Sequence, residues 1–287
     1  MEKQLKVIYH YNSGFSVQVG STLLVFDYWE GEGRKLADVG RITTQSLSVY
    51  EEIIVFVSHG HHDHFDSIIY QWPKENPDLN ITYIVASDMP IGIRGKRMAP
   101  LQERQLTKDI YIKAYQSTDT GVAFMVKIFD FNIFHAGDLN MWHWRQESSL
   151  HDIEIAEKAY YDAVAPLEGE RIDLCMFPVD PRQGMMYDAG ANHFILTFKP
   201  RVFIPMHWQE RVEVAHEFAR RARTSTTEVL ALTKPGIVAN ITYSNNHIDI
   251  YIIEPPKEYD VRTRPLVKFE GGNKEDPFVD TDLPIDL

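Results

Sequence analysis

Cysteine is nearly missing from this chain of 287 residues: Cys175 is the only one. A disulfide scaffold is thereby excluded, and a lone thiol suits a reducing compartment. Cys175 lies in the apolar run Leu174-Cys175-Met176-Phe177, where it reads as a small buried hydrophobe. Long apolar runs are missing too. No stretch of 18 or more apolar residues occurs, so nothing reads as a membrane span. Residues 1–6 lead into an alternating strand rather than a signal-peptide core, and the expectation is a soluble, cytoplasmic protein. Positive charge is in deficit: 29 Lys and Arg face 41 Asp and Glu, a formal net charge of −12. Such a surface repels phosphate backbones and argues against nucleic acid as a general partner. There is no G-x-S-x-G elbow for a serine hydrolase and no P-loop. Gly31-Glu32-Gly33-Arg34-Lys35-Leu36 lacks the third glycine of a dinucleotide site.

What is present suffices for a large core, with 44% hydrophobic and 12% aromatic residues. Period-two or continuous apolar runs predict strands over 6–11, 15–19, 22–27, 53–57, 81–86, 110–115, 121–129, 132–135, 174–179, 201–206, 228–232, 237–243 and 247–253. Helical spacing appears over 152–163 and 212–222, and helical character over 67–71. Strands outnumber helices and come in groups that helices separate, which predicts an α/β sandwich of two sheets with helices outside. Residues 1–255 read as one domain. From residue 254 onward prolines and charges replace the periodicity, with nine acids and five bases. Residues 256–287 are expected to form an irregular acidic C-terminal arm, packed on the surface or partly disordered, and able to wrap a neighbouring subunit if the chain forms a homo-oligomer.

The strongest chemical signal is Ser58-His59-Gly60-His61-His62-Asp63-His64. The apolar run Ile53-Ile54-Val55-Phe56-Val57 delivers these side chains to the end of a buried strand, where a loop can turn several of them to one point. Imidazoles and a carboxylate suit zinc, and also iron or manganese.

This H-x-H-x-D-H pattern resembles the signature of the metallo-β-lactamase superfamily. The hairpin over 9–20, the strand Leu23-Leu24-Val25-Phe26-Asp27, the segment Phe134-His135-Ala136-Gly137-Asp138 and the segment Ile204-Pro205-Met206-His207 agree with it in order. The resemblance covers residues 5–255 and is nearest the branch of the ascorbate-6-phosphate lactonase. It implies an αββα four-layer sandwich. It also implies that His59, His61 and His207 hold one metal, that Asp63 and His64 hold a second, and that Asp138 bridges them. The cofactor would be one or two Zn2+, with Mn2+ or Fe2+ as alternatives, and water activated on the metal would be the nucleophile. Asp63 would also help move a proton. Asp27 would orient a ligand imidazole, and His62, at the variable position, would point away.

One departure stands out. The family places another histidine on the strand before the Gly-Asp motif, and here the region around Gln116 holds none. Three outcomes are open: a single tightly held metal, substitution by Asp119, or recruitment of His143 or His193. His135 reads as a structural or orienting residue, with metal ligation as the alternative. Trp142, His143 and Trp144 would line a substrate pocket or pack beneath a loop. Asp180-Pro181-Arg182, at a strand end, is either a surface turn or part of the site's rim, where Arg182 would hold a substrate anion. His193 reads as a core histidine, and His10, His151, His216 and His247 as packing or surface residues. The expected function is metal-dependent hydrolysis of a small-molecule ester, lactone, amide or phosphoester. Alternatives are a noncatalytic metal-binding or sensor protein of the same fold, or a nuclease of that fold.

Overall fold

A computed structural model describes residues 3–31, 40–144, 146–244 and 247–255. The acidic arm 256–287 and most of the glycine-containing segment 31–36 lie outside the described residues. In chain order the strands are β1 (Lys3–Tyr11), β2 (Gly14–Val19), β3 (Thr22–Phe26), β4 (Glu52–Val57), β5 (Ile81–Ala86), β6 (Lys96–Met98), β7 (Glu103–Thr107) and β8 (Ile110–Gln116). They continue as β9 (Val122–Ile128), β10 (Phe131–His135), β11 (Leu174–Pro178), β12 (Val202–Met206), β13 (Glu228–Val229), β14 (Val238–Tyr243) and β15 (Ile248–Ile253). The helices are α1 (Thr44–Leu47), α2 (Trp72–Glu75), α3 (Leu150–Val164), α4 (Ala189–Phe198) and α5 (Val212–Ala222).

The strands form two sheets, ordered β15-β14-β1-β2-β3-β4-β5-β6 and β13-β12-β11-β10-β9-β8-β7. Each sheet is part antiparallel and part parallel. The parallel part of the first runs from β3 to β6, and that of the second from β10 to β13. β3, β11 and β12 are buried along their whole length, and β4 is buried after its first residue. This is why their sequences are continuous apolar runs rather than alternating ones. The core lies between the sheets. Phe26 stacks on Phe56 at 4.7 Å within the first sheet, and Phe56 meets Phe124 of the second at 5.3 Å. Helices cover the outer face of the second sheet: Phe194 of α4 stacks on Phe134 at 5.3 Å, and Phe218 of α5 meets Phe203 at 5.7 Å. α3 starts at Ser149, whose hydroxyl and backbone exchange hydrogen bonds with Asp152 in a capping box.

The two-sheet α/β sandwich is thus the observed architecture. Two strands go unpredicted. β6 and β7 are polar segments at sheet edges, Lys-Arg-Met and Glu-Arg-Gln-Leu-Thr, with neither an apolar run nor clean alternation. The strand expected over 228–232 shrinks to Glu228–Val229, because it pairs with β12 on one side only.

The arrangement of ends matters for function. The C-terminal ends of the parallel strands β3, β4, β10, β11 and β12 all deliver residues to one region between the sheets. Asp27 follows β3, Ser58 and His59 follow β4, Asp138 follows β10, Asp180 follows β11 and His207 follows β12. Side chains gathered at the carboxyl ends of strands are where open α/β folds bind ligands.

Candidate metal centre

Six expected ligand residues meet at this region. His59, His61 and Asp138 bring ligand atoms within 4.8 Å of one another, and Asp63, His64 and His207 do the same. Asp138 joins the two groups. Its Oδ2 lies 3.3 Å from His59 Nε2 and its Oδ1 lies 3.0 Å from His64 Nε2. His207 Nε2 is 3.4 Å from Asp63 Oδ2 and 3.6 Å from Asp138 Oδ1. The grouping differs from the one the resemblance implies in one respect. His207 sits with Asp63 and His64 rather than with His59 and His61, because the end of β12 lies beside the far end of the histidine loop.

Among the described residues three buried polar atoms here make no well-aligned hydrogen bond: His59 Nε2, His64 Nε2 and Asp138 Oδ1, which meet only at the ion-pair distances above. Buried donors and acceptors are rarely left so, because an unmade bond in the interior costs about 1–3 kcal/mol. Here they face one another, as the donor set of a divalent cation would.

The outward ring nitrogens of His59, His64 and His207 are engaged. Asp27 Oδ1 accepts the Ser58 N–H at 2.7 Å, and its Oδ2 accepts the Ser58 hydroxyl at 2.6 Å. Having spent its only hydrogen on that carboxylate, Ser58 Oγ must accept at 2.9 Å from His59 Nδ1. His64 Nδ1 donates to Asp27 Oδ2 at 2.8 Å, and His207 Nδ1 donates to Asp180 Oδ2 at 2.8 Å. Each of these three imidazoles therefore carries its Nδ1 proton away from the centre and turns Nε2 inward, the orientation metal-binding histidines are given by a supporting carboxylate.

Electrostatics follow from this crowding. Burial would raise the Asp138 carboxyl, but His64 and His207 outweigh it and hold it well below the usual carboxylate range. Asp63 is likewise lowered: burial opposes, and His207 and His64 prevail. Asn12 Nδ2 donates to Asp63 Oδ2 at 3.1 Å and keeps that carboxylate in place. Burial lowers His207, yet Asp138 and Asp180 push its pKa up to about 9.

Ser58 is the most tightly enclosed point. Its carbonyl accepts the Val122 N–H at 3.0 Å. Gly121, at φ +77°, approaches so closely that a Cβ there would lie 1.9 Å from that oxygen. Gly121→Ala is therefore expected to cost at least about 3 kcal/mol through overlap and left-handed strain. Gly20→Ala has a similar φ of +60° but open space around it, and should cost only about 1 kcal/mol. Urea denaturation of both variants without metal checks the difference.

Backbone strain also concentrates here. Asn12, Asp27 and His207 hold φ of 49°, 43° and 61°, in the left-handed region that non-glycine residues seldom adopt.

The other candidates separate clearly. Asp27 does hold an imidazole, that of His64. His62 turns away from the centre and meets the Trp29 ring edge-on at 5.7 Å. His135 packs in the core, stacked on Phe26 at 5.1 Å, with Nε2 donating to the Ser13 carbonyl at 2.9 Å. Asp180 and Arg182 belong to the rim: Asp180 is buried and binds both His207 and Arg182. Trp142 faces the site, its ring 6.1 Å from His207 and its Nε1 donating to the Asp138 carbonyl at 2.7 Å, and Trp144 stacks on it. His143 is buried beside Glu157, and His193 packs against Tyr160 and Tyr161. Gln116 is exposed and donates to the Ser117 carbonyl. Of the replacements considered for the absent histidine, Asp119 is the one whose charge reaches His61, helping to raise its pKa after Asp138. Sequence reasoning missed Ser58, Asn12, and the cavity walls Tyr11, Trp29 and Trp208, which flank a space of about 360 Å³ opening onto Asp63.

No protein-family model matches the chain, and no curated protein matches it. Solved structures do. A metallo hydrolase from the hyperthermophilic archaeon Ignicoccus hospitalis superposes with a TM-score of 0.60 at 16% identity, over 84% of this chain and 99% of that one. A candidate metal-dependent hydrolase from Parabacteroides distasonis gives 0.55 at 15% identity, over 80% and 93%. A diiron β-hydroxylase from Streptomyces venezuelae gives 0.51 at 11% identity, over 84% of this chain and 54% of that one. At such identities the likeness speaks for architecture, and the architecture of this chain is the αββα sandwich of the metallo-β-lactamase fold.

Proposed function

We propose that this chain is a metal-dependent hydrolase of small molecules, holding one or two divalent cations between His59, His61, Asp63, His64, Asp138 and His207. The observation that carries the reading is the convergence of buried His59 Nε2, His64 Nε2 and Asp138 Oδ1, none of which makes a well-aligned hydrogen bond among the described residues, with the opposite ring nitrogens held by Ser58 and Asp27. Zinc suits this nitrogen and oxygen set, and manganese or iron would also fit. A divalent ion there would lower the pKa of a coordinated water toward about 7 and polarise the bond under attack. The protein's own residues supply the rest. Asp63, steadied by Asn12, can accept a proton at its Oδ2. Trp142 flanks the centre on the His207 side.

An ester, lactone, amide or phosphoester is the substrate class, and the lactonase-like branch is the finer reading, supported by motif order and spacing. A cytoplasmic setting belongs to the same proposal. The chain contains no helix, among the described residues, long and apolar enough to cross a membrane.

The test is metal analysis of purified protein with chelator competition. The parent chain is expected to carry a transition metal. His64→Ala and His207→Ala should each lower metal affinity at least about tenfold. Protein free of transition metal, whose melting temperature zinc does not raise, would overturn the reading. The exposed amide of Gln116 in place of an imidazole favours a second reading, a noncatalytic metal-binding protein. X-ray absorption separates the two: a coordination sphere that includes water supports catalysis, and one closed by side chains supports the second reading.

A further inference from the structure

The aromatic cavity beside the metal centre has features the hydrolase reading does not use. It is lined by Tyr11, Trp29, His62, Asp63, Arg182 and Trp208, among others, and its volume of about 360 Å³ suits a ligand of modest size. Asp63 belongs both to this lining and to the metal centre, so a molecule in the cavity has one end at the reacting position. Arg182 is the one residue of fixed positive charge in the lining among the described residues. Its guanidinium is already set in place: Nε donates to Asp180 Oδ1 at 3.0 Å and Oδ2 at 2.9 Å, and Nη2 also donates to Asp180. Nη1 makes no hydrogen bond among the described residues, and the side chain is 56% exposed. Asp180 also accepts from His207 Nδ1, so the guanidinium shares its carboxylate with the metal centre.

We infer that Arg182 anchors an anionic group of the substrate, a carboxylate or a phosphate, while Trp29, Tyr11 and Trp208 take up a flat or apolar body. This rests on the hydrolase reading and narrows its substrate class to small anions. Two features support it. A planar guanidinium with its orientation fixed loses little freedom on binding an oxyanion, and pairs with it through charge-assisted bonds. Aromatic walls favour a flat or apolar body over a polymer backbone. The anion therefore points to Arg182, and the scissile bond to Asp63. Asp63 and Asp138 bear on Arg182 electrostatically, so anion binding strengthens when a cation neutralises them.

The experiment is calorimetric titration of the full chain, zinc-loaded and chelator-treated, with phenylacetate, phenylphosphonate and the neutral 2-phenylacetamide. Loaded parent protein should bind the better of the two anions at least about tenfold more tightly than the amide. Comparing phenylacetate with phenylphosphonate then identifies carboxylate or phosphate as the natural group. Arg182→Met should lose about tenfold for the anions and little for the amide, with zinc content unchanged; Arg182→Lys should fall between, keeping charge without the fork. Trp29→Ala should weaken all three probes alike, leaving discrimination intact. If Arg182→Met binds the anions as tightly as the parent at equal zinc content, the anion sits on the metal alone. The inference then falls while the hydrolase reading stands. Equal affinity for amide and anions in the parent would also overturn it. A chain that takes up no metal sinks the hydrolase reading by a separate readout, and the parent and Arg182→Met titrations of the chelator-treated protein still decide the anchor.

Discussion

Asp27→Asn is expected to destabilise the metal-free protein by about 3 kcal/mol and to weaken metal binding by about 10- to 100-fold. The carboxylate has three donors to satisfy: the Ser58 N–H on Oδ1, and the Ser58 hydroxyl and His64 Nδ1 on Oδ2. An asparagine amide offers one acceptor and one donor group. If its oxygen takes the Oδ2 place, its NH2 confronts the Ser58 N–H; flipped, its NH2 confronts both other donors. Either way buried polar groups lose their partners. The effect reaches two ligands at once. Ser58 freed from Asp27 no longer fixes which proton His59 Nδ1 carries, and His64 loses the group that turns its Nε2 inward. Backbone strain does not confuse the result. Position 27 sits at φ 43°, and asparagine tolerates the left-handed region as well as aspartate does. Urea denaturation in the presence of chelator reads the first effect, and competition with a chromophoric chelator reads the second. Unchanged stability would mean that the Asp27 cluster does not hold the histidine loop.

How much of this was legible beforehand differs by residue, and the differences have physical causes. His59, His61, Asp63 and His64 are neighbours in the chain, so their chemistry shows as a local pattern. Asp138 and His207 stand alone, but each follows an apolar strand, which marks the position. Asp180 looked equally like a surface turn. What decides its role is that β11 and β12 lie side by side in parallel, so that the residue after one strand meets the residue after the other. Nothing in its local sequence encodes that pairing. Asn12, Trp29 and Trp208 were missed for the same reason: their contacts span long sequence separations. The left-handed backbone at Asn12, Asp27 and His207 is a tertiary demand that local propensity does not carry. Ser58 heads the histidine run but carries no role in the sequence, because serine at a strand end is common; its importance comes from Asp27, Gly121 and Gly137 closing on it. The two-sheet layout was legible because buried parallel strands and paired hairpins differ in pattern, whereas the polar edge strands β6 and β7 carry neither signature.

The proton inventory of the centre gives a second large effect. In the metal-free chain His207 is raised to about 9, since Asp138 and Asp180 outweigh its burial. His64 is raised well above its ordinary value, with Asp138 and Asp27 outweighing burial in the same way. Both therefore hold an extra proton at pH 7, standing where a cation would stand. Metal ligation needs the neutral imidazole, so binding zinc at pH 7 is expected to release about two protons. Calorimetry in buffers of differing ionisation enthalpy measures this directly. The release should shrink as the pH of the titration is raised through about 9, where His207 gives up its proton unaided. Stability follows the same inventory. A histidine whose folded pKa is raised stabilises fully below its unfolded value of about 6.5 and loses that contribution as pH climbs through the folded one. For His207 the span from 6.5 to about 9 corresponds to a contribution on the order of 3 kcal/mol. Acid acts through other groups. His10, lowered to about 4 by burial despite its bond to the Gly40 carbonyl, resists protonation in the fold and costs stability as pH falls from 6.5 toward 4. Below that, Asp27, Asp63 and Asp138, all depressed, lose their favourable charge as well. The metal-free chain should thus melt highest near pH 6.5 and lower on either side, whereas the zinc-loaded chain should keep its melting temperature from pH 6.5 to 9. Coincident alkaline limbs for the two forms would show that a cation does not replace those protons.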